Sequence, residues 1–180
     1  MRPINAFMAG GTTFLGYWIG LSPFSAKASA AFVLSAIFCV GFGNVINDIV
    51  DIKTDSISHP NRPLPQGIVS TSSAIYFVVF LAFVGIISAF IFSFYHGLGV
   101  VVPLLLLSLY ARYLKGTPIV GNILISLLVG YTILYGGLFG ERFSWLILPS
   151  ILAFLLNVSR EIVKDIEDAE KLMAAFNESI

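Results

Sequence analysis

The sequence predicts an all-α, polytopic transmembrane helix bundle, on three observations. Of the 180 residues, 57% are hydrophobic and 11% charged, with a mean hydropathy of +0.92, whereas soluble chains carry about 25% charged residues. The apolar stretches form six runs near the length of about 17–25 residues that a spanning helix needs. Within them, as at residues 77–87 and 100–107, apolar residues follow one another without the polar alternation of a barrel strand, which favours helices over a membrane barrel.

The first run, 4–21, continues straight into a multispan pattern and is expected to be retained rather than cleaved as a signal peptide. The second, 30–46, follows a short connection at 22–29 containing Pro23. It leads into GFGNVINDIVDIKTDSISHPNRPLPQGIVS, where Pro60, Pro63 and Pro65 bar a continuing helix and impose an ordered, extended loop. The third and fourth, 73–95 and 97–113, are expected to meet in a tight turn at 95–97. The fourth leads into ARYLKGTPIVGN, broken by Gly116 and Pro118. The fifth, 119–139, reaches the sixth, 145–158, through 140–144. The sixth ends in NVSREIVKDIEDAEKL, which keeps a helical pattern while turning polar. No soluble domain or low-complexity tract interrupts this plan, so residues 1–180 read as a single membrane domain.

Net charge is zero, which points to neither nucleic acid nor an anionic surface as partner. With the N-terminus in the cytoplasm, Arg2, Lys53, Arg62, Arg112, Lys115, Arg160, Lys164 and Lys171 all fall on the inner side, against Lys27 and Arg142 outside. The positive-inside bias therefore predicts a multi-pass cell-membrane protein with its polar loops in the cytoplasm. Cys39, the single cysteine, lies in an apolar run and reads as a small buried residue.

Two acidic clusters stand out, because ionised side chains near a bilayer are costly and mark functional cavities. Asn44, Asp48, Asp51 and Asp55 recur at i, i+4, i+7 and i+11, a single stripe on a helix of about 3.6 residues per turn. Glu161, Asp165 and Asp168 repeat the i, i+4, i+7 spacing, so a second stripe can face the first. Carboxylates gathered this way repel one another unless a cation sits among them, and both clusters lie near C-terminal helix ends whose dipole also favours a cation. Mg²⁺ suits oxygen-only ligands shared with substrate phosphates, and the absence of Cys and His argues against zinc. A solvated helix face is the competing reading of either stripe, favoured in a soluble protein.

The run NDIVDIKTD at 47–55, followed by HPNRPLPQG at 59–67, resembles the first signature of the UbiA-type intramembrane prenyltransferases. REIVKDIED at 160–168 is similar to the second signature, with Glu161 in its first acidic place. LYARYLKGTP at 109–118, with Gly121 and Asn122, is similar to the loop between the family's helices 4 and 5. Within the family, NRPLPQG and REIVKDIED most resemble the archaeal ether-lipid branch. The resemblance implies Mg²⁺, a geranylgeranyl diphosphate donor and geranylgeranylglyceryl phosphate as lipid-phosphate acceptor. It also implies nine spans, so the six here are expected to be a set truncated at the C-terminus.

On that reading Asp48, Asp51, Asp55, Asp165 and Asp168 are the catalytic, metal-binding acids, with Glu161 as a further ligand. Asn44 and Asn47 order the metal shell. Arg62, Lys115, Arg160 and Lys164 pair with diphosphate oxygens, although positive-inside flanking charge explains such bases equally simply. Tyr110 can shield a cation with its ring face. Tyr131 and Tyr135 are candidates to line a prenyl channel, with lipid or helix contacts the plainer reading. His59 reads as a solvated loop residue. The alternatives are an aromatic acceptor, as in quinone, chlorophyll or haem side-chain synthesis, an inactive fragment, and a cation-binding or transport protein. The last fits poorly, since transport sites favour the bilayer midplane and these acids lie at one rim.

Overall fold

The computed structural model describes residues 3–20 and 24–177, and it is helical with no strand among them. Seven α-helices follow in order: α1 (Pro3–Gly20), α2 (Ala26–Val50), α3 (Ile52–Ser58), α4 (Thr71–Phe90), α5 (Phe94–Leu109), α6 (Pro118–Gly136) and α7 (Ile147–Asn177). A π-helical turn, Tyr110–Leu114, ends α5, and a 3₁₀ turn, Phe143–Leu146, leads into α7. Arg2 and residues 21–23, part of the expected first connection, lie outside the described residues, as does the side chain of Lys171.

Six long helices stand where six runs were expected, and α3 is an addition. Five segments are long and apolar enough to cross a membrane: Ala26–Val50, Thr71–Phe90, Phe94–Leu114, Ile119–Gly136 and Phe143–Glu170. The difference is α1, whose apolar content is diluted by Asn5, Thr12, Thr13 and four glycines. Those small and hydroxyl-bearing residues serve packing instead. A Cβ on Gly16 would lie 2.0 Å from the Ile133 carbonyl oxygen, and one on Gly136 would lie 2.0 Å from that of Thr13. The α1 and α6 backbones therefore touch, as small residues allow between helices in lipid. Thr13 Oγ1 donates to the Thr132 carbonyl (3.0 Å), and Thr12 and Thr132 hydroxyls meet at 2.9 Å.

The central helix is α2, packed against α1, α4, α5 and α6. Its N-cap is Ser25, held by the Tyr17 hydroxyl, which donates to the Ser25 carbonyl and accepts from its amide. α7 packs along α6. α4 faces α2 with Ala74, Val78, Leu81, Gly85 and Ala89 buried, while residues such as Tyr76, Val79 and Phe83 point outward, an apolar exterior suited to lipid.

Three expected boundaries shift. The turn between the third and fourth runs lies at Ile91–Ser93 rather than at 95–97, because Ser93 caps α5 and its hydroxyl meets His96 Nδ1 at 2.9 Å. The acidic stripe does not ride one straight helix: α2 stops at Val50, and α3 restarts after Asp51, at which ψ is 0°. Backbone bonds from Asp51 to Asn47 and from Asp55 to Asp51 still bridge the bend. α5 ends in the π turn, in which Lys115 N donates to the Tyr110 carbonyl (3.0 Å); such turns recur at functional sites.

Gly136→Ala should lower the melting temperature of the detergent-solubilised chain by the equivalent of about 1–3 kcal/mol or more, the cost of overpacking. Gly11→Ala, where a Cβ meets nothing within 4 Å, should leave it unchanged or raised.

Candidate active site

A cavity of about 340 Å³ opens among α1, α2, α5, α6 and α7. One end is polar, lined by Asn44 and Asn47 of α2, Tyr110 of the π turn, and Asn157, Arg160, Glu161 and Lys164 of α7. The other runs between the helices past Val40, Leu107 and Leu128 to Tyr131 and Tyr135. A chamber so divided fits an amphiphile with an anionic head and a hydrocarbon tail.

The polar end follows from the α2–α3 bend meeting the middle of α7; the second acidic cluster, expected near a C-terminal helix end, lies within α7 because its polar turns keep the helical period. α7 extends without interruption beyond its apolar portion to Asn177, and α3 packs against it, which brings the two acidic clusters to one rim as their spacing predicted. Glu161 is buried, with Arg160 Nη1 and Lys164 Nζ donating to its carboxylate at 3.2 and 3.1 Å. Asp55 is buried and paired with Arg62. Lys115 pairs with Asp51; the π turn thus joins the α5–α6 connection to the bend between α2 and α3. Asn122 Nδ2 donates to Asp165 (2.7 Å). Asp48 and Asp168 are half-buried on the same two stripes.

Of the residues singled out by sequence, Asn44, Asn47, Tyr110, Arg160, Glu161 and Lys164 line the chamber. Asp51, Asp55, Arg62, Lys115 and Asp165 form the pairs around its mouth. Among the described residues, no three His, Cys, Asp or Glu side chains gather closely enough to hold one metal ion; Asp51 and Asp55 are neutralised by bases, and Asp165 takes an amide donor. Asn47 Oδ1 is buried and has no hydrogen-bond partner among the described residues. The groups at the mouth able to ligate a cation are carboxylate and carboxamide oxygens, the ligand type that a hard divalent cation takes; the nitrogens there belong to cationic bases and amide donors.

Sequence reasoning assigned no role to Asn157, Ser126 or Asn122. Asn157 Nδ2 donates to Ser126 Oγ (3.1 Å) within the bundle, and Arg160 Nη1 reaches Asn157 Oδ1 at 3.5 Å. Together with the Asn122–Asp165 bond, these fix the register of α6 against α7. The signal was present: single carboxamides inside apolar spans are costly to leave unpaired and mark helix contacts.

The profile of the UbiA prenyltransferase family matches residues 9–176. The chain belongs to the UbiA prenyltransferase family. It is 39% identical to digeranylgeranylglyceryl phosphate synthase of Methanopyrus kandleri, over 94% of this chain and 62% of that protein. It is 36% identical to the synthase of the same name from Thermococcus sibiricus, over 94% and 61%. A solved structure from work on digeranylgeranylglyceryl phosphate synthase in membranes superimposes with a TM-score of 0.82 at 33% identity, covering 94% of this chain and 61% of that one. The chain thus spans about three fifths of the length of these relatives. UbiA prenyltransferases are in general dependent on a divalent metal, and the several apolar helices of this UbiA chain make it a multi-pass membrane protein.

Asp165→Ala strips the buried Asn122 amide of its acceptor and should cost about 1–3 kcal/mol, read as a lower melting temperature. Adding Asn122→Ala should cost little more; additive losses would show that the pair does not join α6 to α7.

Proposed function

We propose that this chain carries the donor and metal site of a Mg²⁺-dependent transfer of a geranylgeranyl group from its diphosphate to geranylgeranylglyceryl phosphate, in membrane ether-lipid synthesis. The observation that carries the reading is the chamber itself: a rim of bases, carboxamides and acids opening directly into an apolar interior. Relatives of 36–39% identity bear the name of that activity. The rim lies on the cytoplasmic side, following the eight-to-two distribution of bases between the two ends.

Asp48, Asp51 and Asp55 on one wall, and Glu161, Asp165 and Asp168 on the other, are the residues that would hold Mg²⁺, with Asn44 and Asn47 completing the shell. The unsatisfied Asn47 Oδ1 at the chamber wall supports this fit. Bound there, the metal supplies Lewis acidity toward the leaving diphosphate, worth several kcal/mol of transition-state stabilisation.

The chain's own residues do the rest. Arg160 and Lys164 line the mouth and donate to diphosphate oxygens, Arg in a planar fork and Lys as a compact charge. Lys115 and Arg62 neutralise Asp51 and Asp55; when those carboxylates serve as metal ligands, both bases become donors to the diphosphate. As the allylic C–O bond breaks, positive charge develops at the mouth, which Tyr110 lines; an aromatic ring face stabilises a cation. The acceptor hydroxyl forms the new C–O bond, and its proton passes to the departing diphosphate. The apolar walls exclude water that would otherwise capture the cation.

The test is transfer of radiolabelled geranylgeranyl diphosphate to geranylgeranylglyceryl phosphate by the chain in lipid, with Mg²⁺ or EDTA. Product that needs the metal and falls at least about a hundredfold in Asp51→Ala, the scale of losing one transition-state electrostatic group, is the expected result. Product with an aromatic acceptor but not with the lipid phosphate would reassign the acceptor.

A further inference from the structure

α1 gives the chamber wall Asn5, Met8, Ala9 and Thr12, a single helix face at i, i+3, i+4 and i+7. Thr12 is already engaged: its hydroxyl donates to the Ala9 carbonyl (3.0 Å) and meets that of Thr132. Asn5 is half-buried, and among the described residues its carboxamide has no hydrogen-bond partner. It is the α1 side chain at the wall with a donor and an acceptor both left for a ligand.

Two neighbouring helices fix its depth. α6 runs parallel to α1, and the Thr12 and Thr132 hydroxyls meet, so Asn5, seven residues back, is level with the chamber-lining Ile125. Asn157 of α7 bonds to the adjacent Ser126, and Glu161 and Lys164 lie about 6 and 10 Å nearer the rim at a rise of 1.5 Å per residue. α2 runs antiparallel to α1, and a Cβ on Gly10 would meet Val33 and Ile37. Five residues toward the rim from there, Asn5 stands opposite Val40, about 6 Å inside Asn44 at the same rise. Both registers put Asn5 about one turn inside the polar rim. At a membrane surface a carboxamide costs little, but inside an apolar bundle it needs a partner.

The α1 wall also differs in charge. Residues 3–20 carry no acid or base, and among the described residues α1 and α7 both pack on α6 and not on each other. The acids and bases of the rim belong to α2, α3, α7 and the connections, the side assigned to metal and diphosphate. A lone free carboxamide on an uncharged wall suits an uncharged polar group. The donor has none, being a diphosphate on a hydrocarbon chain. The acceptor has two on adjacent glycerol carbons: the hydroxyl that attacks the allylic carbon, and the ether oxygen of the chain already in place. That allylic carbon is bonded to the diphosphate and so lies just inside the rim, and the acceptor oxygens must reach the same depth.

We infer that Asn5 positions the acceptor, its Nδ2 donating to the ether oxygen beside the reacting hydroxyl. The contact turns the hydroxyl toward the allylic carbon and leaves its proton free to pass to the diphosphate. The inference rests on the proposed function.

The experiment is equilibrium binding of tritiated geranylgeranylglyceryl phosphate and, separately, tritiated geranylgeranyl diphosphate to the chain in nanodiscs with Mg²⁺, a readout that needs no turnover. An acceptor analogue with a methylene in place of the ether oxygen completes a cycle with Asn5→Leu, which nearly keeps the side chain's size, and with Asn5→Ala. The wild-type chain should bind the analogue about three- to tenfold more weakly than the acceptor, the net worth of one hydrogen bond. Either folded variant should bind the acceptor as weakly as the wild type binds the analogue, should not tell the two apart, and should hold the donor unchanged. Equal binding of acceptor and analogue by the wild-type chain, a preference that survives in a folded variant, or donor and acceptor affinities that fall together would overturn the inference and leave the proposed function standing. No saturable binding of either lipid to the wild-type chain would overturn both.

Discussion

Backbone contact between α1 and α6 at Gly16 and Gly136 is the constraint on which the rest of the arrangement depends. It draws the two helices together at the end remote from the acidic clusters. α6 then carries Tyr131 and Tyr135 to the apolar end of the chamber, and Asn122 and Ser126 to the surface on which α7 rests. Gly130 repeats the device, since a Cβ there would lie 2.7 Å from the Ser150 carbonyl oxygen. Lipid gives little hydrophobic drive for helix association, so close backbone approach and buried hydrogen bonds must supply it. The chamber lies where the bundle does not close in this way, toward the polar rim.

The rim poses the opposite problem. Carboxylates and bases crowded at the edge of an apolar bundle must be paired, because a buried ion without a partner loses several kcal/mol of solvation. Glu161 meets Arg160 and Lys164, Asp55 meets Arg62, and Asp51 meets Lys115. The Asp51 and Asp55 pairs are not local ornaments. Asp51–Lys115 ties the π turn to the α2–α3 bend, and Asp55–Arg62 folds the proline-rich loop back onto α3. The residues read as metal ligands and those read as diphosphate donors are thus already neighbours, and ligand binding would exchange partners within an existing network.

The all-helical fold and the meeting of two acidic stripes were legible because they depend on local periodicity. A run of apolar residues must form a helix in lipid to satisfy its backbone, and i, i+4, i+7 spacing places side chains on one face whatever surrounds it. The turn at Ile91–Ser93 was misplaced because apolar composition is continuous through residues 90–95, and only Ser93 as a cap distinguishes the break. The bend at Asp51 and the π turn at Tyr110–Leu114 escaped for a similar reason: neither has a glycine or proline at the break itself.

By itself the sequence determined the helical membrane architecture, the residue types at the rim and the family, all of them consequences of composition, period and motif. Only the tertiary structure decided which of those residues face one chamber. It put Asn44, Asn47, Tyr110, Arg160, Glu161 and Lys164 on the chamber wall and paired Asp51 with Lys115, residues separated by three α-helices in the chain. It also put Tyr131 and Tyr135, candidates for a prenyl channel, at the apolar end of that chamber. Helix periodicity specifies a face, but which neighbour covers that face depends on close contacts such as Gly16 against Ile133, and these join residues far apart in sequence.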